Sequence, residues 1–181
     1  MKIVVDGTIG AGKTTQLNML AQKGYAVHRE PIDEWPLDEF YKDPSRWAFY
    51  FHMVVILSQK PTLDGIHERS ILSSRWVFWN LLAKKGFVTP MEEKTYLQFF
   101  EKFKWVPDKY IFLKKTPEKA YEHIQARGQA GDQGVTLDYL KELDIEYLDF
   151  LSTISTMCTV HIIDAEKTPE EIHQEILRIL I

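Results

Sequence analysis

The chain has 181 residues, 45% of them hydrophobic, which is enough for one core and predicts a single domain over residues 1–181. Lys plus Arg is 22 against 26 for Asp plus Glu, so the net charge is −4, and without a basic run nucleic acid is not an expected partner. A single cysteine, Cys158 in the apolar run MCTVHII, excludes an internal disulfide framework. The opening MKIVVDG has no signal-peptide pattern, and no apolar run reaches the roughly 18 residues of a membrane span, so no membrane partner is expected and a reducing, cytoplasmic setting is.

The elements follow in chain order. KIVVD is a β-branched run ending at glycine, the pattern of a strand buried on both faces. GKTTQLNMLAQKG carries helix formers to a glycine stop, and YAVHR reads as a second strand. From Leu37 to Leu63 the spacing is helical, broken at Asp43-Pro44. A short element, GIHE, precedes ILSSRWVFWNLLAKKG, whose period predicts one helix ending at Gly86. Thr89-Pro90-Met91-Glu92 is a capping box that opens a helix to about Lys104. DKYIFL predicts a strand, Thr116-Pro117-Glu118 starts a helix to Arg127, and GQAGDQG, residues 128–134, is a loop with three glycines. A helix from Leu137 to about Ser152, a strand VHIID and a terminal helix capped by Thr168-Pro169-Glu170-Glu171 complete the chain. Alternation of short apolar strands with helices predicts an α/β sheet covered on both faces.

Residues 7 to 14, GTIGAGKT, satisfy G-x-x-x-x-G-K-[ST] between a strand and a helix, the setting that a phosphate-binding loop requires. Gly7, Gly10 and Gly12 let the backbone of Thr8, Ala11 and their neighbours turn its N–H groups inward. The helix N-terminus adds positive charge, with Thr15 in its first turn. Lys13 can reach the terminal phosphates of a nucleotide such as ATP, and Thr14 can ligate Mg²⁺. A phosphate loop does not name the acceptor.

HREPIDEW, residues 28 to 35, sets Glu30 against a proline that keeps it extended at a strand tip. In a doubly wound sheet, ligands gather beyond the carboxyl ends of the strands, so Asp6-Gly7, Glu30 and Glu68-Arg69 should converge. At these residues the chain resembles the deoxyribonucleoside kinase family. EPIDEW is similar to its E-P-x-x-x-W, YKDPSRWAFYF to its Y-x-D-P-x-x-W-x-x-x-F, and HERSILSSRW to its E-R-S-x-x-S-x-R. The resemblance implies a P-loop kinase fold with a parallel five-stranded sheet and a short lid, usually a homodimer. It also implies transfer of the γ-phosphoryl of ATP to the 5′-hydroxyl of a deoxynucleoside.

By that resemblance Glu30 accepts the hydroxyl proton, Arg69 holds Glu30 and counters phosphate charge, and Glu68 binds Mg²⁺ with Thr14. The lid corresponds to about residues 127–134. Where family lids carry two arginines two residues apart, this chain has Arg127 and then Gln129. Asp132 matches the lid acid that meets the sugar 3′-hydroxyl, with Tyr41 as its partner. Phe78 on one side and Trp35 with Phe51 on the other match the stacking positions for the base. His52 replaces the family glutamine at the base edge, and its two nitrogens face opposite ways, so it offers one bond where an amide offers two. Gln59, seven residues on and expected on the same helical face, is a second candidate. Ser74 stands where purine users tend to have aspartate. These residues favour a pyrimidine, thymidine first. Two competing readings are a nucleoside monophosphate kinase such as thymidylate kinase, whose D-R-Y/H motif is missing here, and a nucleotide-sensing switch, which would need no aromatic pocket.

Overall fold

The computed structural model describes residues 1–59, 63–129 and 132–181. Its five strands are β1 (Lys2–Asp6), β2 (Val27–His28), β3 (Gly65–Glu68), β4 (Lys109–Lys114) and β5 (Thr159–Asp164). They form one sheet in the order β2-β3-β1-β4-β5. Every pairing is parallel, with Val5 opposite Glu68 and Asp6 opposite Phe112. Successive strand residues point to opposite faces, which divides the core in two. Ile3, Val5, Ile111 and Leu113 meet Leu17 and Leu20 of α1 (Lys13–Gln22) and Ile172 and Ile176 of α9 (Pro169–Leu180). On the other face Val4, Tyr110 and Phe112 join the larger cluster.

That second layer contains α3 (Pro44–Ser58), α6 (Pro90–Phe103) and α8 (Leu137–Ile154). It also holds a rod in which α4 (Ile71–Ser73) runs into a π segment, Ser74–Trp79, and then α5 (Asn80–Lys84). Trp79 and Tyr96 stack there with ring centroids 3.8 Å apart. The remaining helices are α2 (Leu37–Lys42) and α7 (Pro117–Arg127). Both expected capping boxes close: Thr89 N–H donates to Glu92 at 2.7 Å and Thr168 N–H to Glu171 at 2.9 Å.

Three expectations change. The strand expected over residues 25–29 narrows to Val27–His28, because it lies at the sheet edge and only β3 offers it a ladder. The helical stretch from Leu37 breaks at Asp43-Pro44 as expected, with the Asp43 side chain capping α3 by accepting from Arg46 N–H, but α3 stops at Ser58 rather than running on to Leu63. Residues 60–62 of that expected helix lie outside the described residues. The helix expected to run unbroken to Gly86 contains the π segment, whose six residues are too few for hydrophobic period to tell from an α-helix.

Candidate active site

β1 delivers the chain to a turn that only glycine makes without strain. Gly10 has φ 82°, and a Cβ there would sit 2.6 Å from the Ala120 carbonyl oxygen; Gly12, φ 97°, caps α1 in the left-handed region. Gly7, Thr8, Gly10, Ala11 and Lys13 are buried in this loop, while Thr14 and Thr15 are exposed at the first turn of α1. His123 of α7 braces it, its Nδ1 2.8 Å from the Gly10 carbonyl oxygen. The Lys13 ammonium donates to the carbonyls of Gly7 and Thr8 at 3.1 and 3.0 Å. Burial, then the neighbouring Arg69 charge, bring its pKa down to about 8.

Glu30 lies two residues beyond β2 with its side chain 6% exposed, and its Oε2 accepts from Arg69 Nη1 at 2.6 Å. Burial drives the Glu30 carboxyl up to about 7, against the opposing pull of Arg69. Arg69 follows β3 with φ 55°, the one non-glycine residue in that region among those described, and its N–H donates to Val5 at 3.1 Å. Burial alone would lower its pKa, but Glu30, Tyr147 and Asp6 outweigh that and hold it well above the usual arginine value. Beside it, Thr14 Oγ1 donates to Glu68 Oε1 at 3.4 Å. Two oxygen donors of this kind, open to solvent on one side, suit Mg²⁺, which keeps most of its shell for water and phosphate oxygens. Bound by Thr14 and Glu68, the ion would supply charge neutralisation on a nucleotide's terminal phosphates.

A cavity of about 310 Å³ opens from this point, within the range of about 300–1,000 Å³ usual for small-molecule sites. Gly10, Lys13, Thr14, Glu30, Glu68 and Arg69 give it a polar lining. Trp35, Phe51, His52, Ser74 and Phe78 add a largely aromatic wall, and Tyr41, Arg127, Gln129 and Asp132 also line it. Phe51 stacks on Phe40, centroids 4.6 Å apart, and meets Trp35 edge to face at 5.8 Å. The Arg69 guanidinium sits 5.0 Å from the centroid of the Phe78 ring. Ser74 and Phe78 both belong to the π segment, which turns two residues four apart toward one wall. His52 is 3% exposed with Nδ1 unpartnered, and burial pushes its pKa to about 3, so the ring is neutral.

One substrate-site expectation is corrected. Gln59 is not among the residues lining the cavity: α3 ends at Ser58, and Gln59 turns into extended backbone with ψ 144°, off the helical face that carries His52. Asp132 and Tyr41 line the same cavity. The Asp132 oxygens accept from Arg127 Nε and Nη2, both at 2.8 Å, and from Gln129 N–H at 3.2 Å. A 3-10 turn at Asp132–Gly134 brings that acid back onto the end of α7. Of the lid expected at 127–134, residues 130 and 131 lie outside the described residues. Asp6 is expected from the sequence only as part of the Asp6-Gly7 strand tip, with no role of its own, and Tyr147 is not expected at the site. The acid closing the otherwise apolar KIVVD was a signal for the first, and nothing marked the second.

The family model for deoxynucleoside kinases matches residues 3–180. The chain belongs to the deoxynucleoside kinase family. It is an ATP-dependent kinase on the α/β, five-stranded parallel architecture that the motifs implied. This deoxynucleoside kinase is 32% identical over 185 residues to a putative kinase protein of Invertebrate iridescent virus 6, covering 96% of this chain and 93% of that one. It is 32% identical over 171 residues to a probable deoxycytidine kinase of Fowlpox virus, covering 83% and 72%. Among solved structures, a deoxyadenosine kinase from M. mycoides with bound dCTP superposes with a TM-score of 0.88 at 25% identity, over 99% of this chain and 98% of that one. Among the described residues, no helix is long and apolar enough to cross a membrane.

Proposed function

We propose that residues 1–181 act as one kinase domain that moves the γ-phosphoryl of ATP to the 5′-hydroxyl of a deoxynucleoside. The observation that carries this is Glu30, a buried carboxylate poised near neutrality, lining the same cavity as Lys13 and Thr14 of the phosphate loop. Glu30 orients the hydroxyl and takes its proton. Arg69 holds that carboxylate and, with Lys13, counters charge on the transferred group, while Thr14 and Glu68 hold Mg²⁺. Arg127 is the lid cation, and Asp132 and Tyr41 frame the sugar. The base lies between Phe78 and the Trp35–Phe51 wall.

A pyrimidine fits the polar groups at the base edge. With Nδ1 enclosed and unpartnered, His52 is better kept with its hydrogen on Nε2, since a stranded N–H is the costlier orphan; Nε2 then donates to a base oxygen or nitrogen. Ser74 adds a hydroxyl that either pyrimidine can use. Thymidine and deoxycytidine both satisfy this pair, and the relatives named for deoxycytidine and deoxyadenosine move deoxycytidine ahead of thymidine in our ranking. We also carry forward the homodimer implied by the family, supported by Tyr50 and Leu57, exposed two turns apart on α3, and the reducing, cytoplasmic setting that lone Cys158 suits. Sedimentation tests the dimer. Incubation with ATP, Mg²⁺ and a panel of nucleosides and their monophosphates tests the reaction. ADP release with deoxycytidine or thymidine is the expected result, and release with monophosphates alone rejects the reading.

A further inference from the structure

Asp6, at the end of β1, is wholly buried and has no part in the reaction as described so far. Burying an isolated carboxylate is costly, so its partners are informative. Its Oδ1 accepts from Tyr147 Oη at 2.9 Å and from Gly7 N–H at 2.7 Å, and its Oδ2 accepts from Tyr110 Oη. Arg69 Nε stands 3.5 Å from Oδ1. The Tyr147 hydroxyl sits at the junction, accepting from Arg69 Nε at 3.4 Å and lying 3.2 Å from the Gly7 carbonyl oxygen. On its remaining nitrogens Arg69 donates to Glu30 at 2.6 Å and to the Gly7 carbonyl at 3.4 Å. A fork held on every edge, on a backbone with φ 55°, has few other places to go.

We infer that Asp6 and Tyr147 are positioning residues for phosphoryl transfer, gripping the Nε edge of Arg69 so that its opposite edge aims Glu30 at the acceptor hydroxyl. Neither touches donor or acceptor; both act through Arg69. The same contacts tie the guanidinium to Gly7, so carboxylate and phosphate loop keep one relative position. Misplacement of a reacting group by about 1 Å can cost roughly 100-fold in rate, so a loosened fork should be visible in turnover. Tyr147 also carries contacts to Phe78 and Phe112 through its ring, which a hydroxyl deletion leaves in place.

The inference rests on Glu30 as the base, so that reading is checked first: if wild-type protein does not phosphorylate nucleosides, or Glu30→Gln retains full turnover, it is the base assignment that fails. With it standing, Tyr147→Phe and Asp6→Asn should each lower kcat by roughly 10- to 100-fold while the KM for ATP stays within about threefold. The acid limb of the pH profile separates positioning from mere stability. Lys13, Glu68, Arg69 and Asp6 all act on Glu30. Loosening Arg69 through Tyr147→Phe should move the limb to higher pH, because the guanidinium is the strongest pull holding the Glu30 carboxyl down. A purely structural role would lower the folded fraction and leave the limb in place. Folded Tyr147→Phe with wild-type kcat and an unmoved limb overturns the inference, and this variant decides alone if Asp6→Asn does not fold.

Discussion

One part of the cavity lining, Lys13, Thr14, Glu30, Glu68 and Arg69, comes from segments at or just beyond the carboxyl ends of three strands, whereas another, Phe51, His52, Ser74 and Phe78, comes from α3 and the π segment. The first is charged and tightly cross-linked, with Arg69 bridging Glu30, Tyr147 and Gly7. The second is aromatic, and two of its buried ring nitrogens, His52 Nδ1 and Trp35 Nε1, have no partner. Charge at the strand tips is held by backbone that neighbouring strands already align, so it tolerates little change. The base wall is held by packing, which allows residues to be exchanged so long as volume and one or two polar groups are kept.

That contrast can be broken most directly at Glu30. Glu30→Gln should lower turnover by roughly 10² to 10⁴-fold while leaving ATP binding near normal, read by steady-state kinetics and by nucleotide titration. Turnover like that of the wild type would remove Glu30 from the chemistry. Next in size is the pH dependence. The fold raises the Glu30 carboxyl to about 7, and a base works only when ionised, so kcat/KM should fall about tenfold per unit below pH 7 and level off above it. The sign for stability is opposite: the contribution of this raised group is fully present below its ordinary carboxyl range and is lost as pH rises through about 7. Thermal melts of the unliganded protein from pH 5 to 8 should show that component.

The base wall predicts smaller effects. His52→Phe keeps the ring among Trp79, Tyr96 and Phe51 but removes its nitrogens. It should raise nucleoside KM by about 3- to 10-fold, the worth of one hydrogen bond, with kcat changed less. An unchanged KM would make His52 a packing residue only. Smallest is Gln59→Ala, which should leave base ranking and KM within about twofold because the residue stands off the cavity wall. A larger shift there would show that the end of α3 reaches the substrate.

The legibility of the two parts differed for the same reasons. The phosphate loop is a contiguous pattern whose glycines, lysine and threonine meet local demands, so it could be read without knowing the fold. Glu30 and Glu68-Arg69 follow strands, and parallel strands in one sheet bring their carboxyl ends together. Gln59 misled because helical spacing was extended one residue beyond the point where α3 stops. The pairing of Asp132 with Arg127 was not legible, since it depends on a 3-10 turn that local residues do not announce.

Hydrophobic period, caps and the glycine-rich loop determined from the sequence alone the α/β class, the two faces of the sheet and the position of phosphate binding, because each depends on neighbours a few residues away. Tertiary structure alone decided that Asp6 and Tyr147, 141 residues apart in the chain, both meet Arg69, and that the rod after β3 widens into a π segment at Ser74. Buried hydrogen bonds between distant residues leave no period in the chain, since they exist only once the strands and α8 have packed.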